Sequence, residues 1–175
     1  MTSRKSTPNR HLEGKSPRDA RLDADAGALH RTLLELKRAY QFRDRECICC
    51  YDVSVTQCWA LEALIRLESL TLNELSAELY LEKSTASRVV SALERKGYVE
   101  RSRNPQDGRS VMLRATAAGS RLYGRIEAEL LAQERVLLEE FDPEVRRSLI
   151  RLLGRLTDAA SSKLVAEGGK CCSVA

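Results

Sequence analysis

TLNELSAELYLEKSTASRVVSALERKGYVERSRNPQDGRSVMLRAT, residues Thr71–Thr116, divides into two short helices, a tight turn and two basic strands around a polar tip. Thr71 followed three residues later by Glu74 forms a capping box, and it opens a helix whose apolar residues are Leu72, Leu75 and Leu79. After a few residues of turn, the pattern predicts a second helix from about Lys83 to Lys96, stopped by Gly97. Ala86, Val89, Val90 and Leu93 fall at i, i+3, i+4 and i+7 on it and make one buried stripe. The opposite face carries Ser84, Arg88, Ser91 and Arg95, flanked by Thr85 and Ser87. Small donors and long cations are the residue types that reach base edges and phosphates when a helix lies in the major groove.

Downstream of Gly97, Tyr98–Arg103 and Val111–Ala115 alternate with period two and predict strands. The turn formers between them, residues 104–110, hold Asp107 and, near the tip, Arg109. A two-stranded ribbon with an arginine at its tip suits a narrow minor groove, where negative potential concentrates. Residues 83–114 hold eight cations (Arg103 among them) against three anions, a local charge of +5 in a chain whose total is +4. The basic excess is therefore confined to this stretch, as in a nucleic-acid footprint.

The run LYLEKSTASRVVSALERKGYVERSRNPQDGRSVMLRATAAG resembles the winged helix-turn-helix core of the MarR family of bacterial transcriptional regulators. The family's K-S-T-x-S-R recognition helix corresponds to Lys83–Arg88, its glycine turn to Gly97-Tyr98-Val99, and its D-x-R wing to Asp107-Gly108-Arg109. The resemblance covers roughly residues 28 to 160. It implies a homodimer on a pseudo-palindromic double-stranded DNA operator, commonly a repressor released by a ligand or by thiol oxidation. It also implies that Arg109 enters the minor groove while Asp107 orients the wing.

Working outward, 175 residues with few aromatics, glycines and prolines favour a mainly α fold. The expected architecture is a winged helix-turn-helix with long N- and C-terminal dimerisation helices and a two-stranded wing. No apolar run is long enough for a membrane span and no secretory signal stands at the N-terminus, which together predict a cytoplasmic protein with reduced thiols. Residues 1–26 lack an apolar period and read as a disordered polar arm. Residues 27–53 hold a first helix, about Ala28 to Phe42 with Leu29, Leu33, Leu36 and Tyr40 in phase, and then a cysteine-bearing loop from Arg43 to Val53.

The DNA-binding lobe is expected over residues 54–116. Ser54 and Gln57 form its first capping box, on a helix whose core face is Ala60, Ala63, Leu64 and Leu67, with Trp59 as a packing anchor at the edge. Residues 117–166 hold two further helices, the first capped by Thr116 and reaching toward Phe141, the second opening at Pro143. Their leucines exceed what a small lobe can bury, so with the first helix they form the expected dimer interface. Residues 167–175 read as a flexible tail ending in Cys171-Cys172-Ser173-Val174-Ala175.

Three thiols lie within four residues, Cys47, Cys49 and Cys50, and Cys58 follows on the next helix. The neighbours Arg43, Asp44, Arg45, Glu46 and Asp52 are polar, which is a poor setting for core cysteines. Clustered thiolates suit soft acceptors such as As(III), Sb(III), Cu(I), Hg(II) or Zn(II), acting as an inducer rather than as an obligatory cofactor. The tail pair Cys171 and Cys172 is a further source of thiolate. Arg43 and Arg45, and the helix start beside Cys58, are expected to lower thiol pKa values, which keeps oxidation by peroxide or an electrophile as a competing trigger.

The leading function is thus a homodimeric transcriptional repressor released by a soft metal or metalloid such as As(III) on its cysteine thiolates. Its competitors are a redox-sensing repressor and an architectural DNA-binding protein without a sensor. An enzyme is not expected: no nucleophile with a base, phosphate loop or carboxylate pair stands out.

Overall fold

The computed structural model describes residues 17–48, 50–103 and 111–166, and they fall into two compact units divided between Arg43 and Asp44. The first unit is helical. Helix α1 (Pro17–Ile48) begins in it, so residues 17–26, expected within the disordered arm, are helical instead. Pro17 occupies the first helical position, where its missing N–H costs nothing, and Ala20, Arg21, Leu22, Ala24 and Ala26 are strong helix formers. A test based on an apolar period cannot register such a segment, because no face of it is buried: Leu22, Leu29, Leu33, Leu34 and Leu36 are all exposed. Residues 1–16 lie outside the described residues.

The second unit starts with the end of α1, and here too the helix outruns expectation. The loop predicted from Arg43 stays helical through Ile48, whose side chain is buried and pins the helix end into the core. A tight turn follows, with Tyr51 N–H donating to Ile48 O (2.9 Å) and Val53 N–H to Tyr51 O (2.8 Å). Helix α2 (Val55–Arg66) then opens on the expected capping box: Ser54 Oγ accepts from Gln57 N–H and Gln57 Oε1 accepts from Ser54 N–H. Its core face is Cys58, Ala60, Leu61, Ala63 and Leu64. Leu67, assigned to that face, is exposed because the helix has already ended, and Leu61 takes its place. Trp59 is likewise not a packing anchor but half exposed.

Strand β1 (Leu70–Thr71), helix α3 (Leu72–Glu78) and helix α4 (Lys83–Arg95) come next. Strands β2 (Val99–Arg103) and β3 (Val111–Ala115) follow, then the long helices α5 (Ala117–Glu139) and α6 (Pro143–Ala166). The sheet has three strands in the order β1-β3-β2, all antiparallel, so the expected two-stranded wing gains a third strand at its base. Leu70 pairs with Leu113 and Thr71 with Met112, while Val99 to Arg103 pair with Ala115 back to Val111. The core lies between α2, α3, α4, the sheet and the first half of α5, and joins Leu61, Leu64, Leu75, Val90, Leu93, Leu113 and Ile126.

Local chemistry sets these boundaries. The end of α4 is a Schellman motif: Gly97, at φ +74°, donates to Glu94 O, and Tyr98 N–H donates to Leu93 O. The turn between α3 and α4 has the same bond pattern, Tyr80 N–H to Ala77 O and Leu81 N–H to Ser76 O, but with Tyr80 rather than glycine at φ +51°. At the start of α3, Glu74 accepts from Thr71 N–H (2.7 Å) and Thr71 Oγ1 (2.8 Å) and closes the capping box. Those bonds hold the Glu74 carboxyl below its ordinary pKa, the backbone bond contributing most. A lowered folded pKa means that the stabilisation is complete above the ordinary carboxylate value and is lost as pH falls through the lowered one. Thr71→Ala should therefore cost about 1 kcal/mol at neutral pH, and less in acid, as read by urea denaturation at several pH values. An equal cost at every pH would contradict the coupling.

Candidate nucleic-acid interface and thiol cluster

Helix α4 buries Ala86, Val90 and Leu93, with Val89 partly buried beside them, and turns its other side outward. On that outer side Lys83, Ser84, Thr85, Arg88 and Arg95 are exposed, and Ser87 and Ser91 are half-buried. No side chain caps its N-terminus, so the positive end of the helix dipole, with Lys83 beside it, is open to an anion such as a backbone phosphate. Among the described residues no carboxylate pairs with Arg88.

The ribbon stands against this helix through a contact that the sequence did not reveal. Arg101 on β2 donates from Nε to Glu94 Oε2 (2.9 Å) and from Nη2 to Ser91 Oγ (3.4 Å). Ser91, expected to face a base, is thus partly engaged in bracing the ribbon. Arg103 is exposed on β2 opposite Val111, at the end of the described ladder. Asp107 and Arg109 lie outside the described residues. The arrangement is a cationic helix beside a basic two-stranded ribbon, locked together by one arginine.

Cys47 lies in the last turn of α1 and is half-buried, and Cys50 is exposed in the turn that follows. The Cys50 thiol is directed back toward Glu46 O (4.0 Å), so both sulfurs sit at the end of the helix. Cys58 departs from expectation. It is buried in the core face of α2, and burial, reinforced by the Asp44 and Glu62 carboxylates, pushes its thiol up to about 11. The lowering expected from the helix start is outweighed by desolvation, and Cys58 serves as a small core residue. Cys49, Cys171 and Cys172 lie outside the described residues. Among those described, no three His, Cys, Asp or Glu side chains are grouped to hold a metal ion.

Two hydrogen bonds fasten the cysteine-bearing turn to α5. Gln133 Nε2 donates to Cys47 Sγ (2.6 Å), and Tyr51 Oη donates to Glu129 Oε1 (2.5 Å). The Tyr51 phenol is pushed above its ordinary pKa, chiefly by that bond. Arg125, one turn earlier on α5, places its guanidinium 5.6 Å from the Tyr51 ring centroid. Neither Glu129 nor Gln133 was singled out from the sequence, since a polar residue on a long helix gives no sign of a partner 78 or 86 positions away.

A helix-turn-helix whose second helix is cationic and is followed by a basic ribbon defines a winged-helix DNA-binding protein. The family model for MarR proteins matches residues 51–110. Among curated relatives, the transcriptional regulator BilQ of Clostridioides difficile is 25% identical over 126 residues, 72% of this chain and 85% of its own. An HTH-type regulator of Mycobacterium bovis is 29% identical over 143 residues, 80% of this chain and 95% of its own. Among solved structures, a MarR family protein of Bacillus stearothermophilus superposes with a TM-score of 0.74 at 27% identity, covering 79% of this chain and 97% of that one. MarR of Escherichia coli shares the fold, with a TM-score of 0.64 at 23% identity, over 73% of this chain and 95% of its own. Residues 51–110 thus match the MarR family, and the chain has the fold of MarR-family winged-helix transcriptional regulators. Among the described residues, no helix is long and apolar enough to cross a membrane.

Proposed function

We propose that this regulator acts as a homodimeric repressor on a pseudo-palindromic operator, and that a soft metal or metalloid such as As(III) releases it by binding the thiols at the end of α1. The placement of Cys47 in the last turn of α1 and of Cys50 in the turn that follows, with Cys49 between them in sequence, carries the sensing part. Soft thiolates at this density favour soft acceptors. Pairing of two copies is supported by unspent apolar surface: Leu131, Val136 and Leu137 on α5 and Val145, Ile150, Leu152 and Leu153 on α6 are exposed. In such a dimer, Ser84, Thr85, Ser87, Arg88 and Arg95 of each copy address the major groove, and Arg103, Asp107 and Arg109 belong to the wing.

A redox or electrophile trigger is the second reading, favoured by one observation. Cys47 is a free, half-buried thiol that the Gln133 amide holds in place, and accessible thiols are the ones that peroxides and electrophiles reach. Titration of the reduced protein with arsenite, Hg(II), Cu(I) or hydrogen peroxide, against a duplex selected from a random pool, separates the two readings. Unchanged DNA affinity with every agent would remove sensing altogether. Footprinting separates a regulator, which protects two spaced half-sites, from an architectural protein, which coats any duplex.

The wing makes its own prediction. Arg109→Ala should weaken binding and reduce the salt slope, log K against log[salt], by about one. An unaltered slope and affinity would mean that this residue never meets the duplex.

A further inference from the structure

The contacts between the cysteine-bearing turn and α5 are in line. Arg125, Glu129 and Gln133 are spaced i, i+4, i+8, one above the next along a single face of α5. They meet, in order, the Tyr51 ring, the Tyr51 hydroxyl and the Cys47 sulfur. Only the last of these partners is chemically changeable. Ile48 and Val53, on either side of Tyr51, are buried, so the segment has little freedom to drift. A change at Cys47 therefore acts first on the Gln133 amide and through it on α5, while the turn is held separately to the end of α4 by Lys96, which donates to Asp52 O.

We propose that Cys47 and Cys50 form a dithiol site for trivalent arsenicals, and that Gln133 is the positioning residue that reports its occupancy to α5. This rests on the sensing role set out above and names its residues. Both thiols lie at one end of α1, Cys50 directed back toward Glu46 O, whereas Cys58 is closed in the core. A monosubstituted arsenous acid, RAs(OH)2, loses two As–O bonds and gains two As–S bonds. Each departing hydroxide takes one thiol proton, so two waters leave and no electrons are transferred. Sulfur that shares its lone pair with arsenic is a poorer acceptor, and the Gln133 bond is released. The Tyr51–Glu129 bond remains as a pivot, so α5 loses its outer hold on the turn while keeping the inner one.

The test uses the full-length reduced protein, phenylarsine oxide as probe, and a duplex selected from a random pool. Wild type should take up one equivalent with loss of two titratable thiols, and its DNA affinity should fall at least tenfold. Cys47→Ser and Cys50→Ser should each retain the arsenical at least a hundredfold more weakly against a competing monothiol, while Cys58→Ala should retain it as wild type does. Gln133→Leu, at an exposed position, should bind the arsenical as tightly as wild type yet change its DNA affinity less than twofold on binding. Gln133→Lys, which can still donate to sulfur, should restore the response. Full release from DNA in Gln133→Leu would overturn the relay but leave sensing intact. Wild type that binds the arsenical without any change in DNA affinity would overturn sensing itself. Tight binding by Cys47→Ser would overturn the site.

Discussion

Replacing Gly119 with alanine should destabilise the protein by about 3 kcal/mol, the upper end of what overpacking usually costs. A Cβ added at this third residue of α5 would fall 2.2 Å from Tyr98 O, 3.1 Å from Tyr98 C and 3.2 Å from Leu61 Cδ2. The nearest obstacle is backbone, and it is fixed from several directions. Tyr98 O accepts from Thr116 N–H (3.0 Å). Thr116 Oγ1 donates to Gly97 O (2.7 Å) and accepts from Gly119 N–H (3.1 Å). Neither chain can withdraw without undoing the start of α5 and the base of the ribbon together. For a chain of this size the loss corresponds to a fall in Tm on the order of 10 °C. Gly124→Ala is the control, since nothing lies within 4 Å of its added Cβ, and it should stabilise by roughly 0.5–1 kcal/mol. A thermal melt by circular dichroism that leaves Gly119→Ala near the parent would refute the packing argument.

Arg88→Ala should have the largest effect on DNA. The residue is exposed on the outer face of α4, clear of the buried stripe of Ala86, Val90 and Leu93, so the fold should be indifferent to it. A bidentate arginine contact to a base is worth about 1–3 kcal/mol, and the expected loss in anisotropy titrations is therefore roughly ten- to a hundredfold. If Arg88 meets a base edge, preference at one operator position relaxes; if it meets a phosphate, the salt slope drops by about one with specificity unchanged. Affinity within twofold of wild type would take α4 out of the groove. Arg101 is a poor substitute for this experiment, because its bonds to Glu94 and Ser91 would mix loss of contact with loss of bracing.

Much of the DNA-binding lobe was legible in the chain, because its signals are local. The stripe on α4, the boxes at Ser54 and Thr71, the cap at Thr116 and the stop at Gly97 each depend on residues within one or two turns, and each stands where the pattern placed it. What escaped depends on distance along the chain. β1 is two residues long and exists only because Leu113 and Met112 are there to pair with it. Gly119 looks like any glycine in a helix until Tyr98 is brought against it. Cys58 was weighed by the helix start beside it, when the apolar surroundings that raise its pKa arrive from other elements. Length was misjudged for the opposite reason: α1 extends at both ends beyond its apolar period, first through alanine and arginine with no buried face, then through one buried isoleucine.

The position of β2 has a consequence for life in a crowded solution. It is an outer strand of the sheet, with β3 in the middle, and Glu100, Arg101, Ser102 and Arg103 along it are all exposed. An open strand margin invites a stray chain to zip onto its unpaired amides and carbonyls, and charged side chains are among the devices that discourage this. Arg101 and Arg103 therefore guard against self-templated aggregation, and neutral β-formers in their place would threaten solubility before they touched the fold.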